Sequence, residues 1–450
     1  MSANRAERPA RPAAGSARSA RAARPARPDP PAPPAPSDPS AGPERPAEEP
    51  RLAVGGPARS RLRRTLALAL PVPVIGLVLL LASGHLTLPL DRIVTIEAKM
   101  ASKRDFFENP EVRRILMKHG FRVHITRMGS RDIATQDVAG YDVVFPSGQP
   151  AADLITRERA KAGDPVLTYR PFVSPIVLAT YREYAETLAD ADIAEPQPAG
   201  PSAGPAGPLY YTLDMGKFLQ QTKQGRRWDD LGIEKHGVHN GNKVLAQTSD
   251  VCDSNSGGTY LGLVSFVWHG NDAPGNGEDA DRYARDIKEL LIEQGLPGSE
   301  RAETYLSVDG KSIAPISVIY EHQFLAHQIR YEAEHGEPDD GRVLLYPSTR
   351  FVTEPQLVAL TGDGERLGEL VTEDPELQHK AMELGFRVRD ATSGSTSDQL
   401  AAFLADRGIQ VPVTSADDTK AVLPRLPLLE RMIQTVGECP PAQSSQQDAK

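Results

Sequence analysis

Along residues 91–437, segments whose hydrophobic positions have the spacing of a strand alternate with segments whose hydrophobic positions have the spacing of a helix. A period of two, typical of strands, marks residues 93–100 and 121–128, and residues 141–146 form a short apolar run. Residues 109–120 begin with Asn and Pro and end with Gly, which are residues favoured at helix ends. This order predicts an α/β fold with a largely parallel sheet and helices on both of its faces.

The alternation is interrupted once and then resumes. Residues 194–208 are rich in Pro, Gly and Ala and are predicted to form a surface loop or linker. Further helices and strands are predicted at residues 150–163, 279–295, 314–328, 341–347 and 373–387. The roughly 350 residues after position 90 exceed what one hydrophobic core usually holds, so we predict two lobes.

Residues 65–90 carry no Asp, Glu, Lys or Arg across 26 positions, and a bilayer core needs about 20 apolar residues in a helix. The basic stretch at residues 59–64 precedes this run, which predicts a single-pass anchor with a cytoplasmic N-terminus and an extracellular main domain. The alternative is a cleaved signal peptide, with Ala82, Ser83 and Gly84 as the cleavage site.

Residues 1–64 consist mainly of Pro, Ala and Arg and are predicted to be a disordered cytoplasmic tail. Residues 438–450, after the extracellular domain, are predicted to be a second disordered tail. The N-terminal tail holds 13 Arg and 6 acidic residues, a net charge of +7, so residues 65–450 carry −9 − 7 = −16. A main domain this acidic argues against nucleic acid as a partner.

The sequence has two cysteines, Cys252 and Cys439, and both lie on the predicted outer side of the membrane. A disulfide is permitted there, and we predict one, although the spacing does not decide whether the two residues meet.

Small polar residues follow several predicted strands and precede predicted helices. Gly129 and Ser130 do so, Ser147 follows the next strand, and residues 254–257 begin a helix with Ser, Asn, Ser and Gly. The first turn of a helix has N–H groups without partners at the positive end of its dipole, so such ends facing one crevice would bind a polar or anionic ligand. The alternative, that each Ser or Asn only caps its own helix, stays open.

The order of these segments resembles the type II periplasmic solute-binding fold, the extracellular receptor of many ABC importers. The likeness covers residues 91–390 and lies in "ITRMGSRDIA", "YDVVFPSGQPAADLI", "FVSPIVLATY" at residues 172–181, and "SNSGGTYLGL". It implies a first lobe of residues 91–172 and 315–437 and a second lobe of residues 173–314. The ligand contacts that it implies are Gly129, Ser130, Ser147, Ser174, Ser254, Asn255, Ser256, Gly257, Tyr320 and Glu321.

The chain departs from phosphate-binding relatives before the Ser-rich turn. Those relatives have an Arg there, whereas this chain has Asp250 and Asp253, whose carboxylates would repel a bare dianion. The expectation is therefore a small polar solute such as a zwitterion, a polyol, a cation or a peptide, with an ABC permease or envelope proteins as partners. The alternative is a non-catalytic envelope scaffold that reuses the two lobes.

Signals of catalysis, metal binding or a cofactor are weak. The sequence has no P-loop and no H-E-x-x-H motif, and His236, His239, His322 and His327 are interpreted as ordinary histidines rather than zinc ligands. We expect no enzyme activity, no metal and no cofactor.

Overall fold

The computed structural model describes residues 93–198, 207–293, 295, 297, 301–389, 398–413 and 419–439. The predicted tails, residues 1–64 and most of 438–450, lie outside this range, and so does the predicted anchor at residues 65–90. Among the described residues, no helix has both the length and the apolar character needed to cross a membrane.

The described residues form strands and helices that alternate as the pattern predicts. The strands are β1 (Val94–Met100), β2 (Phe121–Arg127), β3 (Val143–Phe145), β4 (Leu167–Tyr169), β5 (Phe172–Tyr181), β6 (Ala194–Pro196), β7 (Tyr210–Leu213), β8 (Ser317–Tyr320), β9 (Arg342–Pro347), β10 (Thr349–Arg350), β11 (Val352–Thr353), β12 (Leu357–Ala359), β13 (Arg387–Val388) and β14 (Thr419–Lys420). The α-helices are α1 (Arg104–Glu108), α2 (Pro110–Lys118), α3 (Ser130–Thr135), α4 (Gln149–Lys161), α5 (Arg182–Asp190), α6 (Met215–Lys223), α7 (Asn255–Trp268), α8 (Gly277–Ile292), α9 (Arg301–Leu306), α10 (Gly310–Ile313), α11 (Glu321–His335), α12 (Gly362–Glu373), α13 (Pro375–Glu383), α14 (Gln399–Ala405) and α15 (Leu426–Gly437). Two 3₁₀ helices lie at Asp229–Leu231 and Ile233–His236.

The first lobe is built on a five-stranded sheet with the order β2-β1-β3-β12-β4. β1 runs parallel to both β2 and β3, whereas β12 is antiparallel to β3 and β4. The predicted helix at residues 109–120 is confirmed as α2, because the side chain of Asn109 accepts from the N–H groups of Glu111 and Val112. The parallel strands place their carboxyl ends at one edge of the sheet, where ligands bind in open α/β sheets.

The second lobe is built around β5, β9, β7 and β6, which are neighbours in that order, and β8 pairs with β5 on its other side. The loop predicted at residues 194–208 contributes the short strand β6, because its backbone pairs with β7. Helix α7 packs against α6, α8 and β8, and Tyr260, Leu263 and Val264 on it are buried.

The ten-residue strand β5 passes from one lobe to the other, as predicted for residues 172–181. Its first residues pair with β11 and β13, and its later residues pair with β8 and β9 of the second lobe. All ten of its residues are buried, which is expected where a strand is covered by both lobes.

The predicted lobe boundary at residue 315 is wrong. β8 and β9 pair with β5 in the second lobe, and β9 also runs parallel to β7, so residues 317–347 belong to that lobe. The C-terminal helix α15 also packs there, against α8 and α7. Short apolar strands of this kind carry no mark of the sheet that they will join, and backbone pairing decides it.

Helix α15 is tied to both lobes. The predicted disulfide between Cys252 and Cys439 is present and joins the end of α15 to the loop before α7. Arg131 of α3, in the first lobe, forms a bidentate ion pair with Glu430 of α15. Charge-assisted pairs of this geometry are among the stronger polar contacts in proteins.

We expect loss of the disulfide to destabilise the protein substantially. The bridge links residues 187 positions apart, so removing it restores much chain entropy to the unfolded state, at a cost of about 2–5 kcal/mol. The double variant Cys252→Ser/Cys439→Ser should therefore unfold at a lower urea concentration than the oxidised protein. Reductant should lower the midpoint of the wild type to that of the variant and leave the variant unchanged, whereas a wild type insensitive to reductant would contradict the expectation.

Candidate functional site

A cavity lies between the two lobes at the carboxyl ends of β1, β2 and β3, and we call it the interlobe cavity. Its lining residues are Ala101, Ser102, Arg104, Met128, Gly129, Ser130, Ser147, Ser249, Ser254, Asn255, Ser256, Arg301, Ala302, Val318, Ile319, Tyr320 and Gln323. Its volume is about 30 Å³, and one water molecule needs about 10–15 Å³ on this measure. The space therefore holds a group of a few heavy atoms.

Three serines of the first lobe line the cavity in one hydrogen-bonded row. Ser102 follows β1, Ser130 follows β2, and Ser147 follows β3. The hydroxyls of Ser102 and Ser147 are 2.6 Å apart, and the N–H of Ser147 donates to the Ser130 hydroxyl over 2.9 Å. Because each serine follows a strand of the same parallel sheet, the topology brings them to one edge.

The second lobe contributes the first turn of α7. The Ser254 hydroxyl caps the helix by accepting from the N–H of Gly257 over 2.9 Å, and Asn255 donates to the Tyr320 hydroxyl over 3.3 Å. Asn255 and Ser256 line the cavity from this turn, where the helix dipole is positive. The capping interpretation is therefore correct for Ser254, and the same turn also faces the cavity.

Two glycines of the first lobe allow the lobes to approach closely. A Cβ at Gly129 would lie 2.6 Å from the carbonyl oxygen of Asp253, and a Cβ at Gly148 would overlap the side chain of Asn255. Beside them, the N–H of Arg131 donates to the carbonyl of Asp253 over 3.0 Å. The contact between the lobes at the cavity thus depends on the absence of side chains at two positions.

The charges around the cavity are cationic. Arg104 and Arg301 line it, and none of the described residues that line it carries a carboxylate. Arg301 donates to the side chains of Gln247 and Thr304, and burial lowers the pKa of its guanidinium.

Neither Asp250 nor Asp253, the two carboxylates expected to repel an anion, lines the cavity. Asp250 accepts the N–H of Cys252 over 2.8 Å. Burial, and then the proximity of Asp250 and Asp132, raises the pKa of the Asp253 carboxyl. The expectation that these carboxylates disfavour a bare dianion stays a prediction.

A buried lysine lies behind the cavity wall. Lys103 is fully buried, its Nζ lies 3.2 Å from the ring centroid of Tyr320, and it has no hydrogen-bond partner among the described residues. Burial lowers the pKa of Lys103 well below its usual value, an effect that Asp105 partly opposes. Burial, and then Lys103, lowers the pKa of the neighbouring His322.

Seven of the ten predicted ligand contacts line the interlobe cavity. They are Gly129, Ser130, Ser147, Ser254, Asn255, Ser256 and Tyr320. The structure brings these residues together, and their role in ligand binding stays a prediction.

The other three predicted contacts lie elsewhere. Ser174 is buried in β5, where its hydroxyl bonds His322 Nδ1 at 2.9 Å, and Gly257 packs against the backbone at Ser249. Glu321 is fully buried, and its carboxylate accepts two bonds from Arg387 and one from Tyr346. These three residues therefore make contacts within the protein and do not line the cavity.

Five polar residues that were not predicted from the sequence also line the cavity: Ser102, Arg104, Ser249, Arg301 and Gln323. Ser102 could have been found, because it follows the predicted strand at residues 93–100 as Ser147 follows its own strand. Gln323 belongs to a helix whose start carries no comparable polar turn, and only the fold brings it to the cavity.

One group of potential metal ligands is present among the described residues. The ligand atoms of Asp229, Glu234 and His239 lie within 4.8 Å of one another, and all three residues are exposed. None of them lines the interlobe cavity. Exposed groups of this kind are common without a metal, so this cluster is reported as a surface feature.

Comparisons with known proteins find matches at the level of structure. No protein-family model matches the sequence. No curated protein matches it either. The solved structures that it resembles include iron-bound HitA from Pseudomonas aeruginosa, with 12% identity, a TM-score of 0.45, and coverage of 76% of this chain and 99% of that one.

Two further solved structures match this chain at a similar level of identity. The Azotobacter vinelandii periplasmic molybdate-binding protein matches with 12% identity, a TM-score of 0.38 and coverage of 66% of this chain and 100% of that one. Trichodesmium IdiA (FutA) in complex with iron and citrate matches with 11% identity, a TM-score of 0.43, and coverage of 77% of this chain and 99% of that one. The resemblance to solute-binding proteins is thus matched by solved structures. At these TM-scores the fold assignment rests on the sheets of this chain.

We expect Lys103→Met to stabilise the folded protein by about 1–3 kcal/mol, because it removes a buried amine that has no hydrogen-bond partner among the described residues. The lowered pKa means that the folded protein binds fewer protons than the unfolded chain between that pKa and about 10.4. Wild-type stability therefore rises with pH across this window, and the advantage of the variant shrinks. Urea unfolding of both proteins at pH 7 and pH 10 measures the difference.

A matched control is Lys99→Met. Lys99 is also buried, but its Nζ donates to the carbonyl of Asp137 over 2.5 Å. This variant should be less stable than the wild type at both pH values, since it leaves that carbonyl without its donor. If Lys103→Met were equally destabilising, Lys103 would have a partner that stabilises the fold.

Proposed function

We propose that this protein captures a small anion, without catalysis, in the cavity between its two lobes. The observation that carries the proposal is the charge of the interlobe cavity: Arg104 and Arg301 line it together with six serines, and no Asp or Glu does so among the described residues. Arginine and serine donors are the groups that bind carboxylate, phosphate or sulfate oxygens in proteins.

The helix that begins at the cavity supports the same ligand class. Helix α7 has 14 residues, and its first turn, with Asn255 and Ser256, faces the cavity. Unpaired N–H groups and the positive end of the dipole favour an anion there. Burial of the site strengthens these attractions because water is excluded.

The close fit of the lobes supports capture by closure. The lobes touch through backbone atoms at Gly129 and Asp253, and the residual cavity has a volume of about 30 Å³. A ligand group of that size would be surrounded by both lobes, and its contacts would stabilise the closed arrangement.

The cellular role follows from the sequence. We propose that residues 65–90 anchor the protein in the membrane with the lobes outside the cell, and that the lobes deliver the anion to a membrane partner such as an ABC permease or report its presence.

We expect small oxyanions to stabilise the full-length protein, and Arg301→Gln to weaken their binding about tenfold or more, since a charged hydrogen bond is lost. Titration calorimetry with sulfate, phosphate and acetate measures this, with glycerol and glycine betaine as neutral and zwitterionic comparisons. Arg285→Gln on the exposed face of α8 is the matched control and should bind normally. Binding of glycerol or betaine but of no anion would refute the proposal.

We expect Gly129→Ala to weaken anion binding by at least tenfold while the fold stays intact. The added Cβ would lie 2.6 Å from the Asp253 carbonyl oxygen, so the lobes could not meet as they do here. The control is Gly275→Ala, because a Cβ there meets no atom within 4 Å. Unchanged affinity in Gly129→Ala would show that binding does not require this contact.

A further inference from the structure

A second cavity adjoins the interlobe cavity, and we call it the side cavity. Its lining residues are Ser102, Arg104, Asp105, Ala302, Glu303, Leu306, His322, Gln323, Ala326, His327, Arg330, Leu384 and Phe386. Its volume is about 250 Å³, against about 30 Å³ for the interlobe cavity. Both lobes contribute to it, through α1 and the segment after α13 on one side and through α9 and α11 on the other.

The two cavities have a common wall. Ser102, Arg104, Ala302 and Gln323 line both of them. Arg104 therefore borders both cavities. A molecule larger than a few heavy atoms cannot fit in the interlobe cavity alone.

The lining of the side cavity suits an organic group. Leu306, Leu384, Phe386 and Ala326 give it apolar surface. His322 adds a polar position: it is 2% exposed, its Nδ1 bonds the Ser174 hydroxyl, and its Nε2 has no hydrogen-bond partner among the described residues. Asp105, Glu303, His327 and Arg330 also line the side cavity. Apolar walls combined with placed polar groups are typical of sites that bind small organic molecules.

We propose that the ligand is an organic anion, whose charged head lies in the interlobe cavity and whose carbon chain occupies the side cavity. This inference rests on the proposed function and names its ligand class. An inorganic oxyanion would fill only the interlobe cavity, and the larger space beside it would make no contact with the ligand.

The test is a chain-length series on the full-length protein. Titration calorimetry with methylphosphonate to pentylphosphonate, and with acetate to hexanoate, compares ligands that share a head and differ in chain length. Each methylene buried in the side cavity should tighten binding about fourfold until the cavity is full. Ala326→Phe should abolish this gain by filling the cavity, and should leave methylphosphonate or acetate within twofold of its wild-type affinity.

Two further variants keep the result interpretable. Ala333→Phe makes the same change at an exposed position of the same helix and should retain the chain-length gain. Leu306→Trp fills the side cavity from α9 and should act like Ala326→Phe if that variant folds poorly.

The outcomes separate the two proposals. If the shortest anions bind but longer chains bind no tighter, or if the gain survives both cavity-filling variants, the organic-anion inference is overturned and the anion receptor stands. If neither short nor long anions bind, the proposed function itself fails.

Discussion

The contact between Gly129 and the carbonyl of Asp253 is the constraint on which the site depends. A backbone-to-backbone approach leaves no room for a Cβ, and the neighbouring bond from the N–H of Arg131 to the same carbonyl fixes the approach at 3.0 Å. Because this contact lies at the edge of the interlobe cavity, it sets how far the serines of the first lobe stand from the first turn of α7. The size of the cavity follows from it.

The contact is supported from behind by a buried ion pair. Arg387, next to β5, donates to the fully buried carboxylate of Glu321, which also accepts from Tyr346. Removing one member of such a pair leaves a charge buried without a partner, which is strongly destabilising. Because Arg387 donates two hydrogen bonds to Glu321, this pair constrains the position of β13 relative to α11. On the opposite side, the disulfide and the Arg131–Glu430 pair hold α15 against both lobes.

The sequence predicted the elements of the fold well, because caps and periodicity are local. The strand at residues 93–100 became β1, and the crossing segment at residues 172–181 became β5 with the same bounds. The lobe boundary at residue 315 was wrong because strand pairing is not local: β8 lies next to β5 through backbone bonds that its four apolar residues do not encode.

The candidate site was predictable to the extent that it is built from strand ends. Seven predicted residues line the cavity because small polar turns after parallel strands meet at one edge of a sheet. The charged members, Arg104 and Arg301, could not be predicted, since a lone Arg in a helix has no local signature of its environment. Glu321 is the opposite case. Its position after β8 led to its prediction as a ligand contact, but its carboxylate accepts hydrogen bonds from Arg387 instead.

The charge of the whole domain and the charge of the cavity have opposite signs, and this limits how an anion can be bound. Residues 65–450 carry a net charge of −16, so the domain repels anions at long range. At physiological ionic strength that field is screened over about 8 Å. Attraction must then come from groups that touch the ligand: Arg104, Arg301 and the first turn of α7. These act strongly only when water is excluded, and closure of the lobes at Gly129 excludes it. Selection of the ligand by such a protein would therefore occur in the closed cavity rather than during the encounter.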